Sequence, residues 1–97
     1  MSFKETSNWN DKTELKAFLI FKILESIDFP RGKQIELCRQ MQQETNLEAG
    51  NISAKVSNYK SVAGINNNSN ASNDTKEYYL KYKDFSIEEL ENIIKKV

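Results

Sequence analysis

The stretch TELKAFLIFKILESI, Thr13 to Ile27, decides the fold. Leu15, Ala17, Leu19, Ile20, Ile23, Leu24 and Ile27 recur at helical spacing and cover more than half of a wheel, and Phe18 and Phe21 widen the arc. A helix this nearly apolar all round needs neighbours on several sides, so the spacing predicts a central helix. Lys16 interrupts the arc and is expected to lie along the surface on its methylenes. Thr13 or Asp11 offers an N-cap, and Trp9 stands where it can fold back onto the helix. Pro30 ends the segment, because the residue before a proline is pushed out of the helical region.

The covering elements can be read outward from there. After the turn DFPRGK, the run QIELCRQMQQE predicts a second helix with Ile35, Leu37, Cys38 and Met41 inward. Thr45 and Glu48 have capping-box spacing, which places the start of a third helix near Asn46 and predicts a helix over 46–63 that Gly64 can close in a left-handed conformation. Its apolar stripe is Ile52, Val56, Tyr59 and Ala63. Residues 66–73 have the composition of a mobile Asn/Ser-rich loop. Asp74 or Thr75 can cap a fourth helix, TKEYYLKYKDF, packed through Tyr78, Tyr79, Tyr82 and Phe85. Ser86 with Glu89 then predicts a capping box ahead of IEELENIIKKV, whose apolar positions are Ile87, Leu90, Ile93 and Ile94. The expectation is a single all-α domain over 1–97, a small bundle of about five helices containing a helix-turn-helix-like pair.

Composition narrows the chemistry. The 97 residues are 38% hydrophobic and 29% charged, which suits one folded domain with one core. MSFKETSNWN lacks the apolar run of a signal peptide, and no stretch is apolar for long enough to span a bilayer, so a cytoplasmic protein with no membrane partner is expected. One cysteine, Cys38, and no histidine leave no disulfide and no zinc site, so neither metal nor other cofactor is implied. The missing histidine also removes the commonest general base, and a catalytic role is not expected. The formal net charge is zero, but residues 31–60 form the one basic part, with Arg31, Lys33, Arg39, Lys55 and Lys60 against Glu36, Glu44 and Glu48.

The third helix carries the functional signal. Asn51, Lys55 and Asn58 recur at steps of four and three opposite the apolar stripe, flanked by Ser53, Ser57 and Lys60. Asn and Ser in a helix cost propensity relative to Glu and Lys, so a face built from them reads as a surface selected for contact rather than for solvation. Asn can bond adenine bidentately, Lys can reach guanine or a phosphate, and small residues let a helix sink into a major groove. Gly50, early in the helix, implies that something approaches the backbone closely. These residues make Asn51, Lys55 and Asn58 candidates for base contact, and Arg31, Lys33, Arg39, Ser53, Ser57 and Lys60 candidates for phosphate contact.

The segment EAGNISAKVSNYKSV, residues 48–62, resembles a pattern in the N-terminal DNA-recognition domain that precedes the nuclease of many HNH-type restriction endonucleases, with Gly50, Ile52, Ala54, Lys55, Val56, Ser57, Asn58, Tyr59 and Ser61 on matching positions. WNDKTEL, IDFPRGK and TKEYYLKYKDF resemble further segments of that domain in the same order, so the likeness runs from about Trp9 to Leu90. Glu48 and Ala49 depart from it, standing where the family prefers arginine and a proline-like residue. A weaker likeness, through Trp9, Glu14 and Leu15, is to Myb-type three-helix DNA binders. The resemblance implies a double-stranded DNA-binding domain that senses sequence or modification, without the nuclease segment, whose partners are duplex DNA and a nuclease domain in the same or another chain. The rival expectation is a small protein-protein interaction module, such as a phage or defence-system inhibitor, for which neutral charge is an advantage.

Overall fold

The computed structural model describes residues 9–65 and 73–97, and among them five helices and no strand. They are α1 (Asp11–Ser26), α2 (Lys33–Thr45), α3 (Ala49–Val62), α4 (Asn73–Tyr82) and α5 (Ile87–Lys96). The chain is the small all-α bundle its periodicity predicts. Of the expected loop over 66–73, Asn73 instead opens α4, and residues 66–72 lie outside the described residues.

α1 is the hub and packs against each of the other four helices. Leu15, Ala17, Phe18, Ile20, Phe21 and Leu24 are all buried, and their partners are Cys38 and Met41 from α2, Ile52, Val56 and Tyr59 from α3, and Leu90 and Ile94 from α5. Tyr79 and Tyr82 of α4 bring their rings to Phe18, with centroids 6.3 and 6.4 Å away, so the tyrosine cluster closes one side of the core.

Several caps differ from their expected form. Asn10, not Thr13 or Asp11, caps α1: its side chain accepts from the Thr13 backbone N–H at 3.0 Å while the Thr13 hydroxyl accepts from the Asn10 N–H at 2.7 Å. Threonine thus fills the place glutamate usually takes in such a box, which hides it from a pattern search. At the other end Phe29 donates its N–H back to the Leu24 carbonyl at 2.8 Å, and Asp28 and Phe29 take left-handed conformations before Pro30. Ser86 and Glu89 do form the reciprocal box that starts α5. Thr75, proposed as a cap, instead sits fully buried in the first turn of α4.

The α2–α3 junction also corrects a reading. Thr45 is the last residue of α2, with its hydroxyl donated to the Met41 carbonyl at 2.8 Å, so it makes no box with Glu48. Asn46 turns left-handed at φ 64, Leu47 drops into the core, and α3 starts at Ala49 rather than near Asn46. Gln42 takes over the capping function by accepting the Ala49 N–H at 2.9 Å. Gly64, at φ 81, ends the helix as expected, with the Ile65 N–H reaching the Lys60 carbonyl and the Gly64 N–H that of Ser61. Ile35, expected inward, is exposed: it falls about 120° from Met41 on the α2 wheel, past the edge of the covered face.

Candidate nucleic-acid interface

α2 and α3 are joined by a turn of three residues, and a left-handed Asn46, a buried Leu47 and the Gln42 cap fix how the second helix leaves the first. Along α3 the stripe Ile52, Val56 and Tyr59 is fully buried, as its spacing requires. The opposite side presents Gly50, Asn51 and Ala54 to solvent, with Asn58 half exposed. Neither amide has an intramolecular partner among the described residues. A Cβ added at Gly50 would meet nothing within 4 Å among the described residues, so the close approach expected there does not come from them.

The other candidates are turned to the flanks. Gln34 of α2 lies along one flank of α3 and donates to the Ser53 carbonyl at 3.1 Å, the Ser53 hydroxyl at 2.9 Å and the Ser57 hydroxyl at 3.2 Å. Its carbonyl accepts from the Lys60 ammonium at 3.2 Å, and that ammonium also stands 5.4 Å over the Phe29 ring. Ser53, Ser57 and Lys60 are therefore the seam between the helices first and an outward surface second. Lys33 is ion-paired with Glu36 at 3.4 Å. Arg31 and Arg39 are exposed and form no ion pair among the described residues, so they are the two uncommitted cations of the basic segment.

Lys55 departs furthest from its expected place. It shares a side of α3 with Asn51 and Asn58, but its side chain is only 12% exposed, and its ammonium sits 2.8 Å from Glu14 Oε1 on α1 and 5.2 Å over the Trp9 ring. The second oxygen of Glu14 accepts the Tyr59 hydroxyl at 2.8 Å. One carboxylate near the start of α1 thus anchors two positions of α3. The reason is helical geometry: Lys55 lies close enough to the buried stripe to meet α1, where a partly desolvated carboxylate attracts it strongly.

Burial, then the neighbouring Glu14 charge and hydrogen bond, push the Tyr59 hydroxyl far above the ordinary tyrosine range. Its folded-state value exceeds its unfolded one, so this contribution to stability is complete below about pH 10 and is lost as pH rises beyond it. Denaturation curves collected from neutral to strongly alkaline pH should show stability falling from about pH 10 upward, by up to about 1.4 kcal/mol per unit for this group, and less steeply for Tyr59→Phe. Equal slopes in both proteins would count against a protonated, carboxylate-bound Tyr59. Tyr78, whose hydroxyl meets Asp11, is raised by burial and then by that bond, and its share of the alkaline loss persists in both. Cys38 behaves as the small hydrophobe expected of it: burial pushes its thiol up to about 11, against a lowering by Ser53.

Spacing in the sequence had no means of revealing Glu14 and Gln34 as residues that hold α3, since each meets it across the fold, and Gln42 reaches Ala49 around a turn that no capping pattern marks. Among the described residues no cluster of acidic, cysteine or histidine side chains is placed to hold a metal ion, and no helix is long and apolar enough to cross a membrane. A groove of about 440 Å³ between α1, α2 and α5 is lined by Leu19, Ile20, Ile23, Leu37, Met41 and Ile94, with the Lys16–Glu44 ion pair, at 3.0 Å, at its rim. Comparison with protein-family models, with curated proteins and with solved structures finds no match for this chain. The likeness to the HNH-associated domain therefore rests on the quoted residues alone.

Proposed function

We propose that the chain is a non-enzymatic double-stranded DNA-binding domain that enters the major groove with α3. Asn51 and Asn58 meet base edges, and Arg31, Arg39, Lys33 and Lys60 meet phosphates. The observation that carries the reading is the outer side of α3: small at Gly50 and Ala54, bearing two amides with no side-chain partner among the described residues, on a helix locked to its neighbours by Gln34, Gln42 and Glu14. Major-groove readers need such a rigid, slim helix with amides at its surface. The resemblance to the recognition domain of HNH-type restriction endonucleases supports the same docking and suggests a nuclease domain as a partner.

With these four cations placed on phosphates, log K against log salt should have a slope of about −3.6 for a short duplex. Gly50→Ala separates folding from function: it should raise stability by about 0.5–1 kcal/mol while weakening duplex binding. Asn58→Ala should lower discrimination at one base pair by about 1–3 kcal/mol. Anisotropy titrations of the folded protein that show no duplex binding at low salt, or binding indifferent to salt, end the proposal.

A second reading, a protein-interaction module, is favoured by one observation: the groove between α1, α2 and α5, with an aliphatic floor and a rim that carries Lys16 paired with Glu44 and also Lys95 and Glu91, equal in the two signs. It expects salt-insensitive capture of a protein, blocked by Leu37→Glu, with no shift of a duplex.

A further inference from the structure

We propose that Glu14 is an internal competitor of the duplex, holding the Lys55 ammonium against the protein and so withholding one cation from DNA phosphates until a well-seated duplex takes it. The inference rests on the DNA-binding reading above. Lys55 lies between Asn51 and Asn58 on one side of α3, so the flexible lysine stem needs only side-chain rotation to emerge between them. Glu14 cannot follow it outward. Its carboxylate belongs to the central helix and is tied through its second oxygen to the fully buried Tyr59.

The exchange is close to balanced in kind, because a phosphate offers the ammonium the same charge-assisted N–H···O bond that the carboxylate does. It is not balanced in consequence. When Lys55 leaves, Glu14, only 12% exposed while the pair is intact, keeps just the Tyr59 hydroxyl of its two partners, so release is unfavourable unless a phosphate sits within the reach of the stem. A loosely held duplex leaves Lys55 where it is. A duplex fixed by the Asn51 and Asn58 amides presents a phosphate steadily and draws it out. Glu14 thus lowers affinity for DNA in general more than affinity for the preferred site, and it places the bound form one phosphate contact above the loosely associated one.

Glu14→Gln removes the competing charge yet keeps an oxygen to accept the Tyr59 hydroxyl. On a short mixed-sequence duplex it should bind more tightly than wild type, with a log–log salt slope steeper by about 0.9, so that its advantage shrinks about threefold between about 50 and about 200 mM salt. Lys55→Met, which leaves Glu14 in place, should change mixed-sequence affinity by less than about twofold and leave the slope unaltered. The Glu14→Gln, Lys55→Met double variant should lose the gain, which distinguishes release of Lys55 from the mere loss of one negative charge. A gain that persists in the double variant overturns the inference, as does a Lys55→Met slope shallower by a full contact, because Lys55 would then already lie on the backbone. Wild type that binds without this pattern sinks the inference alone, whereas absence of duplex binding in every variant sinks the DNA-binding reading with it.

Discussion

Phe18→Ala should cost about 3–5 kcal/mol in urea denaturation, a large share of the roughly 5–15 kcal/mol that holds a domain of this size. The residue is fully buried at the middle of α1, and its ring is the junction of three helices. It meets Phe21 on its own helix with centroids 5.7 Å apart, Tyr59 of α3 edge-on at 4.9 Å, and Tyr79 and Tyr82 of α4. Truncation removes the transfer free energy of the ring, leaves a cavity that stiff aromatic neighbours fill poorly, and deletes an edge-to-face pair that contributes about 0.5–1.5 kcal/mol beyond burial. The contrast is Leu80, which is 66% exposed on α4. Leu80→Ala should stay within about 0.5 kcal/mol of wild type. A loss below about 1.5 kcal/mol for Phe18→Ala would mean that the aromatic residues do not form the centre of this core.

That centre was legible in the sequence because Phe18 falls in the longest apolar run of the chain, Ala17 to Phe21, where only the flanking Lys16 and Lys22 break the arc. The buried stripe Ile52, Val56 and Tyr59 was legible for a related reason: only a helix brings steps of four and three onto one face. Caps were legible only where both halves follow the common pairing. Ser86 with Glu89 does, Asn10 with Thr13 does not, and Thr45 with Glu48 has the spacing but spans a helix end, so their separation in sequence misstates their roles. The candidate interface divides in the same way. Residues that avoid the core betray themselves by their period, and Asn51, Ala54 and Asn58 do so. Those that find a partner on another helix leave no such mark. Lys55 meets Glu14, 41 positions away, and Ser53, Ser57 and Lys60 meet Gln34. Zero net charge likewise conceals the fact that, among the described residues, Arg31 and Arg39 form no ion pair while Lys33, Lys55 and Lys60 are engaged within the protein.

Glu14→Ala should be the most damaging polar substitution in the domain, at about 3 kcal/mol near neutral pH, because one deletion strands two groups. Tyr59 is fully buried and donates its hydroxyl only to this carboxylate, so removing the acceptor costs the desolvation of an unsatisfied hydroxyl, about 1–3 kcal/mol. Lys55, 12% exposed, can recover part of its loss by turning its ammonium toward water, and for that reason the total stays near the lower end of the range for a broken buried pair. A buried ion pair is weak evidence of stabilisation in itself, since well-packed apolar replacements of similar volume are often neutral or better. Replacing all three members together, Glu14→Leu, Lys55→Met and Tyr59→Phe, should therefore restore most of what Glu14→Ala loses, although the triple variant contains three substitutions rather than one. Thermal and urea denaturation of wild type, the single variant and the triple variant decide the matter. A triple variant as unstable as Glu14→Ala would show that the carboxylate contributes through its charge rather than by satisfying Tyr59 and Lys55. A single variant as stable as wild type would show that the contacts joining α1 to α3 are not made in solution, and the rigidity that the proposed reading helix requires would be lost with them.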